Sequence, residues 1–187
     1  MGTDIKIARN QGTFRELMNA FARPGSLAAI TPSSEGLLMD VLDVLLDHEV
    51  SFCVLGKNKE SMEPEITAVT GSRTADTGSA DFVIFAAGDT GDELYKVKRG
   101  SLEYPDKGAT VIYYGAVLDE NKKIADHSFK GPGIAAGTGF TAPGIPEGEL
   151  KKLSEINSEY PLGVDTVIIS ENNILCIPRS SKIGVVK

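Results

Sequence analysis

Residues 37–55, LLMDVLDVLLDHEVSFCVL, place an amphipathic helix directly before an apolar strand. Leu38, Val41, Leu42, Leu45 and Leu46 fall at i, i+3, i+4, i+7 and i+8, so they line one wide face of a 3.6-residue period. Ser33 and Ser34, just upstream, are suited to capping the free N–H groups of the first turn. Val50 to Leu55 then supplies β-branched and aromatic side chains over the length of one strand, while His48 sits where a helix C-terminus tolerates a cation. Alternation of helix and apolar strand is the mark of βαβ units, and hence of parallel strands with helices packed on them.

Upstream, Ser26 to Ile30 is a short strand candidate. Before it, Thr13-Phe14-Arg15-Glu16 has the spacing of a capping box, which predicts a helix that starts at Thr13 and stops at Pro24-Gly25. Phe14, Leu17, Met18 and Phe21 would form its core-facing stripe, each burial stabilising by roughly 1.5–3 kcal/mol. Arg15, Asn19 and Arg23 lie off that stripe.

Downstream, residues 57–79 carry weak signals broken by Pro64 and Gly71, with one short helix expected around Glu65 to Val69. Residues 81–86, DFVIFA, suit a strand covered on both faces. A short helix is expected from Asp92 to Arg99, its basic end formed by Lys96, Lys98 and Arg99. Ala109 to Val117 and Lys123 to Phe129, separated by a polar turn, predict an antiparallel hairpin. Residues 130–144, KGPGIAAGTGFTAPG, hold glycines and prolines that interrupt regular structure, and predict an irregular crossover. A helix over Pro146 to Asn157, with Glu147 and Glu149 in its first turn, precedes a second hairpin made of TVIIS and ILCIP, and a final KIGVV.

The whole pattern predicts one α/β domain over residues 1–187, a three-layer αβα sandwich with a mixed sheet. Length allows a substantial core, and a net charge of -7 argues against nucleic acid or an anionic membrane surface as partner. The start of the chain has no signal-peptide pattern and no window has the apolar length of a membrane span, so a cytoplasmic protein is expected. Cys53 and Cys176 sit in apolar runs, where a thiol acts as a small hydrophobe, and with His48 and His127 they assemble no metal-ligand spacing.

Several motifs carry partial chemistry. Gly131 to Gly137 follows a strand, but its third glycine is one place late for a dinucleotide loop and no helix opens after it. No GxxxxGK[ST] occurs. Asp126-His127-Ser128 has the letters of a hydrolytic triad, yet strand neighbours point to opposite faces. Lys130 has the type and setting of a Schiff-base lysine without the surrounding shell that pyridoxal phosphate needs. Arg179, between Pro178 and the Ser180-Ser181 hydroxyls, could grip a phosphate or carboxylate, or form a surface ion pair. The ligand candidates are therefore His127, Lys130, Gly131, Gly133, Arg179 and Ser180, around an anion; no catalytic residue and no metal site are identified.

Phe14-Arg15 with Met18, Phe21 and Pro24-Gly25, then Gly131-Pro132-Gly133-Ile134, Pro161-Leu162-Gly163-Val164-Asp165 and Ile177-Pro178-Arg179 resemble, in that order, the PhnH family. This is the H subunit of the bacterial carbon-phosphorus lyase core complex. Where that family often has two threonines after Pro-Arg, this chain has Ser180-Ser181. The resemblance implies a role in organic phosphonate catabolism, beside subunits G, I and J, in a transferase that makes alpha-D-ribose 1-alkylphosphonate 5-triphosphate from ATP and an alkylphosphonate. It further implies a fold similar to the large domain of PLP-dependent transferases but lacking the cofactor, a homodimer when isolated, and no established catalytic residue. A structural or assembly role is the leading expectation; a catalytic or anion-binding subunit, or a stand-alone transferase, is the alternative.

Overall fold

The computed structural model of the 187-residue chain describes residues 2–88, 90–118, 127–134, 139–140 and 145–185. Its helices are α1 (Gly2–Ala22), α2 (Leu37–Leu45), α3 (Lys59–Thr70) and α4 (Glu147–Ile156). Its strands are β1 (Ala28–Ala29), β2 (Ser51–Leu55), β3 (Arg73–Thr74), β4 (Phe82–Ala86), β5 (Thr110–Tyr114), β6 (His127–Lys130), β7 (Gly139–Phe140), β8 (Asp165–Ile169), β9 (Asn173–Ile177) and β10 (Lys182–Val185). Seven strands form a sheet in the order β1-β9-β8-β5-β4-β2-β3, and β10-β6-β7 form a small second sheet. In the large sheet β8, β5, β4, β2 and β3 run parallel, while β9 is antiparallel to β8 and β1 to β9. The fold is α/β with a mixed, open sheet flanked by helices.

Strand alternation divides the core in two. Phe52, Val54, Ile84, Ile112, Val167 and Cys176 meet Leu17 of α1, Leu42 of α2 and Ile66 of α3. Their neighbours Cys53, Val83, Phe85, Val111, Tyr113 and Ile168 meet Leu150, Leu153 and Ile156 of α4, together with Leu94 and Val97. Successive side chains leave a strand on opposite faces, so a continuous apolar run means both faces are covered. Both cysteines are buried but on opposite faces, and burial pushes each thiol above its ordinary pKa.

The expected hairpin of Ala109 to Val117 with Lys123 to Phe129 is not formed. β5 takes both its edges in parallel pairing with β4 and β8, whereas β6 pairs antiparallel with β10 and β7. The reason lies in β5 itself: Val111, Ile112 and Tyr113 are fully buried, as a central parallel strand requires, and no edge remains for a hairpin partner. The expected turn at 119–122 lies outside the described residues. The final strand likewise joins β6 rather than extending the β8–β9 hairpin, which does form.

Thr13 does not open a helix; it is buried in the interior of α1, which begins eleven residues earlier at Gly2. Polar anchoring extends the helix beyond its apolar pattern: Lys6 Nζ and Asn10 Nδ2 both donate to Asp43 of α2, and Arg9 pairs with the buried Asp40. The helix is also rotated from the expected stripe. Thr13, Leu17 and Ala20 face the core, Phe21 is half-buried, and Phe14 and Met18 are 51% and 53% exposed. Small residues at 13 and 20 let the helix approach closely, which a face built on Phe14 and Met18 would prevent.

Smaller departures have local causes. Gly36, with φ +90, precedes α2, while the Ser33 hydroxyl accepts the Glu35 N–H in a turn upstream of the helix. α3 runs to twelve residues because exposed Pro64 is accommodated inside it. The expected helix from Asp92 shortens to a 3-10 turn, Glu93–Lys96. Its basic neighbours are each engaged, Lys96 with Glu93, Lys98 with Asp81 and Arg99 with Glu159.

Candidate functional site

The sequence candidates divide between two places. Lys130 ends β6, opposite Lys182 of β10, and is exposed; His127 lies at the other end of β6, opposite Val185 and Phe140. Gly131 follows, and a Cβ there would stand 3.1 Å from the Ser180 carbonyl oxygen, so the Gly131 and Ser180 backbones are in contact. Gly133, with φ +74, explains its own identity: a Cβ would stand 2.4 Å from the carbonyl oxygen of Ala22 at the end of α1. The glycines at 131 and 133 thus serve close backbone packing between this segment, the β9–β10 link and α1.

Arg179 makes an internal clasp. Its Nε and Nη2 donate to Asp165 Oδ2 at 3.1 and 2.6 Å, its backbone N–H donates to Oδ1 at 2.8 Å, and Nη1 donates to the Pro105 carbonyl. This ties the start of β8 to the end of β9 and to the loop before β5. Its guanidinium is half-buried and committed to these acceptors, while Lys130, Gly131 and Ser180 are gathered at the β6–β10 junction.

A different location has the form of a ligand site. The connection leaving β2 carries α3 over the face held by α1 and α2, whereas the connection leaving β4 brings Leu94 and Val97 to the face held by α4. Adjacent parallel strands whose outgoing connections part in this way open a crevice at their carboxyl ends, the usual ligand position in open α/β sheets. A crevice of about 470 Å³ lies there, lined by Leu55 at the end of β2 and Gly56, Lys57 and Asn58 after it, by Phe85 and Ala86 at the end of β4 and Ala87, Gly88 and Thr90 after it, and by Tyr114 and Glu93. Gly56 and Gly88 have φ of +107 and +146, so each strand end turns through a conformation open to glycine.

Its rim is held from beneath by Glu149. That side chain is fully buried in the first turns of α4 and accepts hydrogen bonds from the Thr90 hydroxyl at 2.5 Å, the Thr90 N–H at 3.3 Å, the Tyr113 hydroxyl at 2.8 Å and Lys152 Nζ at 3.2 Å. A buried carboxylate needs such a set of donors. Across the opening, Asn58 Nδ2 donates to the Tyr114 hydroxyl at 3.3 Å, linking α3 to β5. Sequence reading missed this place because residues 57–79 gave weak signals; a glycine within two residues of the end of each of two apolar strands, Gly56 and Gly88, was the available sign. Among the described residues no group of three metal-ligating side chains occurs, and no helix is long and apolar enough to cross a membrane.

Comparison with known proteins adds the relationship. A protein of Stutzerimonas stutzeri named as a C-P lyase subunit, HtxG, is 32% identical over 179 residues, covering 95% of this chain and 87% of the relative. The "Alpha-D-ribose 1-methylphosphonate 5-triphosphate synthase subunit PhnH" of Rhizobium meliloti (strain 1021) is 29% identical over 181 residues, covering 92% and 89%. The family described as "Bacterial phosphonate metabolism protein (PhnH)" matches residues 2–184, nearly the whole chain, and the chain therefore belongs to the PhnH family.

Proposed function

We propose that this chain is a subunit of a bacterial carbon-phosphorus lyase complex in phosphonate catabolism, supporting synthesis of a ribose 1-alkylphosphonate 5-triphosphate in an assembly role. The observation that carries this reading is the family match over residues 2–184, joined by two relatives that are themselves named as subunits. The partners are subunits G, I and J, in the cytoplasm, and the chain is a homodimer when isolated.

The surface of α1 supports the assembly role. Ile7, Phe14 and Met18, at helical spacings of seven and four, share one face of the helix and are 51%, 51% and 53% exposed. Side chains of this size are stabilised by burial against another protein. A partner subunit of the same complex is the occupant this reading assigns to them. Co-expression with subunits G, I and J tests it: a tagged chain should co-purify with them, and Phe14→Glu with Met18→Glu should reduce recovery at least tenfold while the chain stays folded. Recovery of the wild-type chain alone would overturn the assembly role.

A further inference from the structure

We infer that the crevice between the carboxyl ends of β2 and β4 binds an organic phosphate or phosphonate, its oxyanion against Lys57 and its carbon body over Leu55, Phe85 and Tyr114. This deepens the proposed function and rests on it for the phosphorus chemistry, but the place and the charge come from the crevice.

Position comes first. The crevice lies where the connections from two neighbouring parallel strands part to opposite faces of the sheet, so it is built by topology rather than by chance gaps between loops. Its volume, about 470 Å³, falls within the roughly 300–1,000 Å³ of small-molecule sites. Sugar phosphates and small phosphonates fit within it.

Charge selects the class. Of the side chains lining the crevice, Lys57 carries a positive charge and has no hydrogen-bond or ion-pair partner among the described residues, although it stands beside Asn58 and the first turn of α3. Glu93, the acidic residue among the described lining, is already paired with Lys96, and Lys59 with Glu63 lies outside that lining. Glu149 is withdrawn beneath Thr90 with four donated hydrogen bonds. Among the described lining residues the charge left unpaired is therefore that of Lys57, in a chain whose net charge is -7. A local cation of this kind recognises an oxyanion despite the sign of the whole molecule.

The remaining lining sets the rest of the ligand. Leu55, Phe85, Ala86 and Ala87 present carbon, and Tyr114 presents a half-buried ring whose hydroxyl is shared with Asn58. Free inorganic phosphate would leave that apolar wall bare; an alkyl or ribose group would cover it. Glu149 is a positioning residue here: it holds Thr90, and with it the loop after β4, in place.

The test is calorimetric titration of the full-length chain with methylphosphonate, ribose 5-phosphate and inorganic triphosphate. At least one of the first two should bind one-to-one with a Kd at or below about 1 mM. Preference between them identifies an alkylphosphonate or a sugar phosphate, and triphosphate binding alone would overturn a carbon-bearing ligand. Lys57→Ala should weaken binding by roughly tenfold or more. Ala86→Trp, which fills the crevice, should abolish it; Lys57→Ala, on an exposed side chain, keeps the test informative should Ala86→Trp fail to fold. No binding at concentrations up to about 10 mM, or binding unchanged by Lys57→Ala, would overturn the inference. Loss with Lys57→Ala but full binding by folded Ala86→Trp would also overturn it, by placing the anion on the outer surface. These results are separate from phosphonate growth: intact growth with no binding removes the crevice inference alone, whereas loss of the growth link removes the subunit reading.

Discussion

Arg179 and Asp165 hold each other through both backbone and side chain: one carboxylate accepts the Arg179 N–H at 2.8 Å through Oδ1 and its Nη2 at 2.6 Å through Oδ2. The pair closes the amino end of the β8–β9 hairpin, and Nη1 reaches on to Pro105. Arg179→Ala should destabilise the fold by about 2 kcal/mol, since a charge-assisted set is lost and Asp165 keeps its charge. Arg179→Lys should recover less than half of that, because an ammonium cannot reproduce the fork. Urea unfolding of both variants checks this, and a fully stable lysine variant would show that the fork geometry contributes nothing.

Two glycines should respond with opposite sign. Gly133→Ala drives a Cβ to 2.4 Å from the Ala22 carbonyl at φ +74, and should cost about 1–3 kcal/mol. Gly12→Ala, inside α1 with nothing within 4 Å, should stabilise by about 0.5–1 kcal/mol. Thermal unfolding of the two variants measures both.

Glu149 organises the contact between α4 and the loop after β4. Glu149→Ala removes the buried acceptor shared by the Thr90 and Tyr113 hydroxyls and by Lys152, which still donates to the Gly91 carbonyl, and should destabilise by about 2–3 kcal/mol. Glu149→Gln, which keeps the acceptor oxygen for Tyr113, should cost less. Equal stability of the alanine variant and wild type in urea would contradict the arrangement.

Asp81 gives a pH dependence. Burial by itself would raise its pKa, but hydrogen bonds from Lys98 Nζ at 2.5 Å and from the Ser51 hydroxyl and N–H at 2.7 and 2.8 Å outweigh burial and hold it below the ordinary value. A carboxylate depressed in the folded state stabilises above its unfolded pKa, about 3.9, and that stabilisation is lost as pH falls through the folded value. Asp81→Asn should thus be less stable than wild type at pH 7, with the difference shrinking below about pH 4. Denaturation curves at both pH values decide it; a constant difference would contradict the linkage.

Much of the fold was legible because its strands are apolar runs of strand length. β2, β4, β8, β9 and α4 lie where residue periodicity places them. What escaped were choices made by tertiary contact. The rotation of α1 depends on Asp40 and Asp43 in another helix, and the partner of β5 depends on which strands compete for its edges. The same holds for function. The crevice draws on Lys57, Phe85 and Tyr114, which lie far apart in sequence and share no motif. Family resemblance, by contrast, lay in short motifs such as Gly131 to Ile134 and Ile177 to Arg179, whose spacing the close packing at Gly133 and the Arg179 clasp now explain.

The central claim, a subunit role in phosphonate catabolism, is tested most directly by growth of a strain lacking this chain, with methylphosphonate as sole phosphorus source. Deletion should abolish growth on methylphosphonate, leave growth on inorganic phosphate intact, and be reversed by the wild-type chain. Undiminished growth of the deletion strain on methylphosphonate would contradict the account.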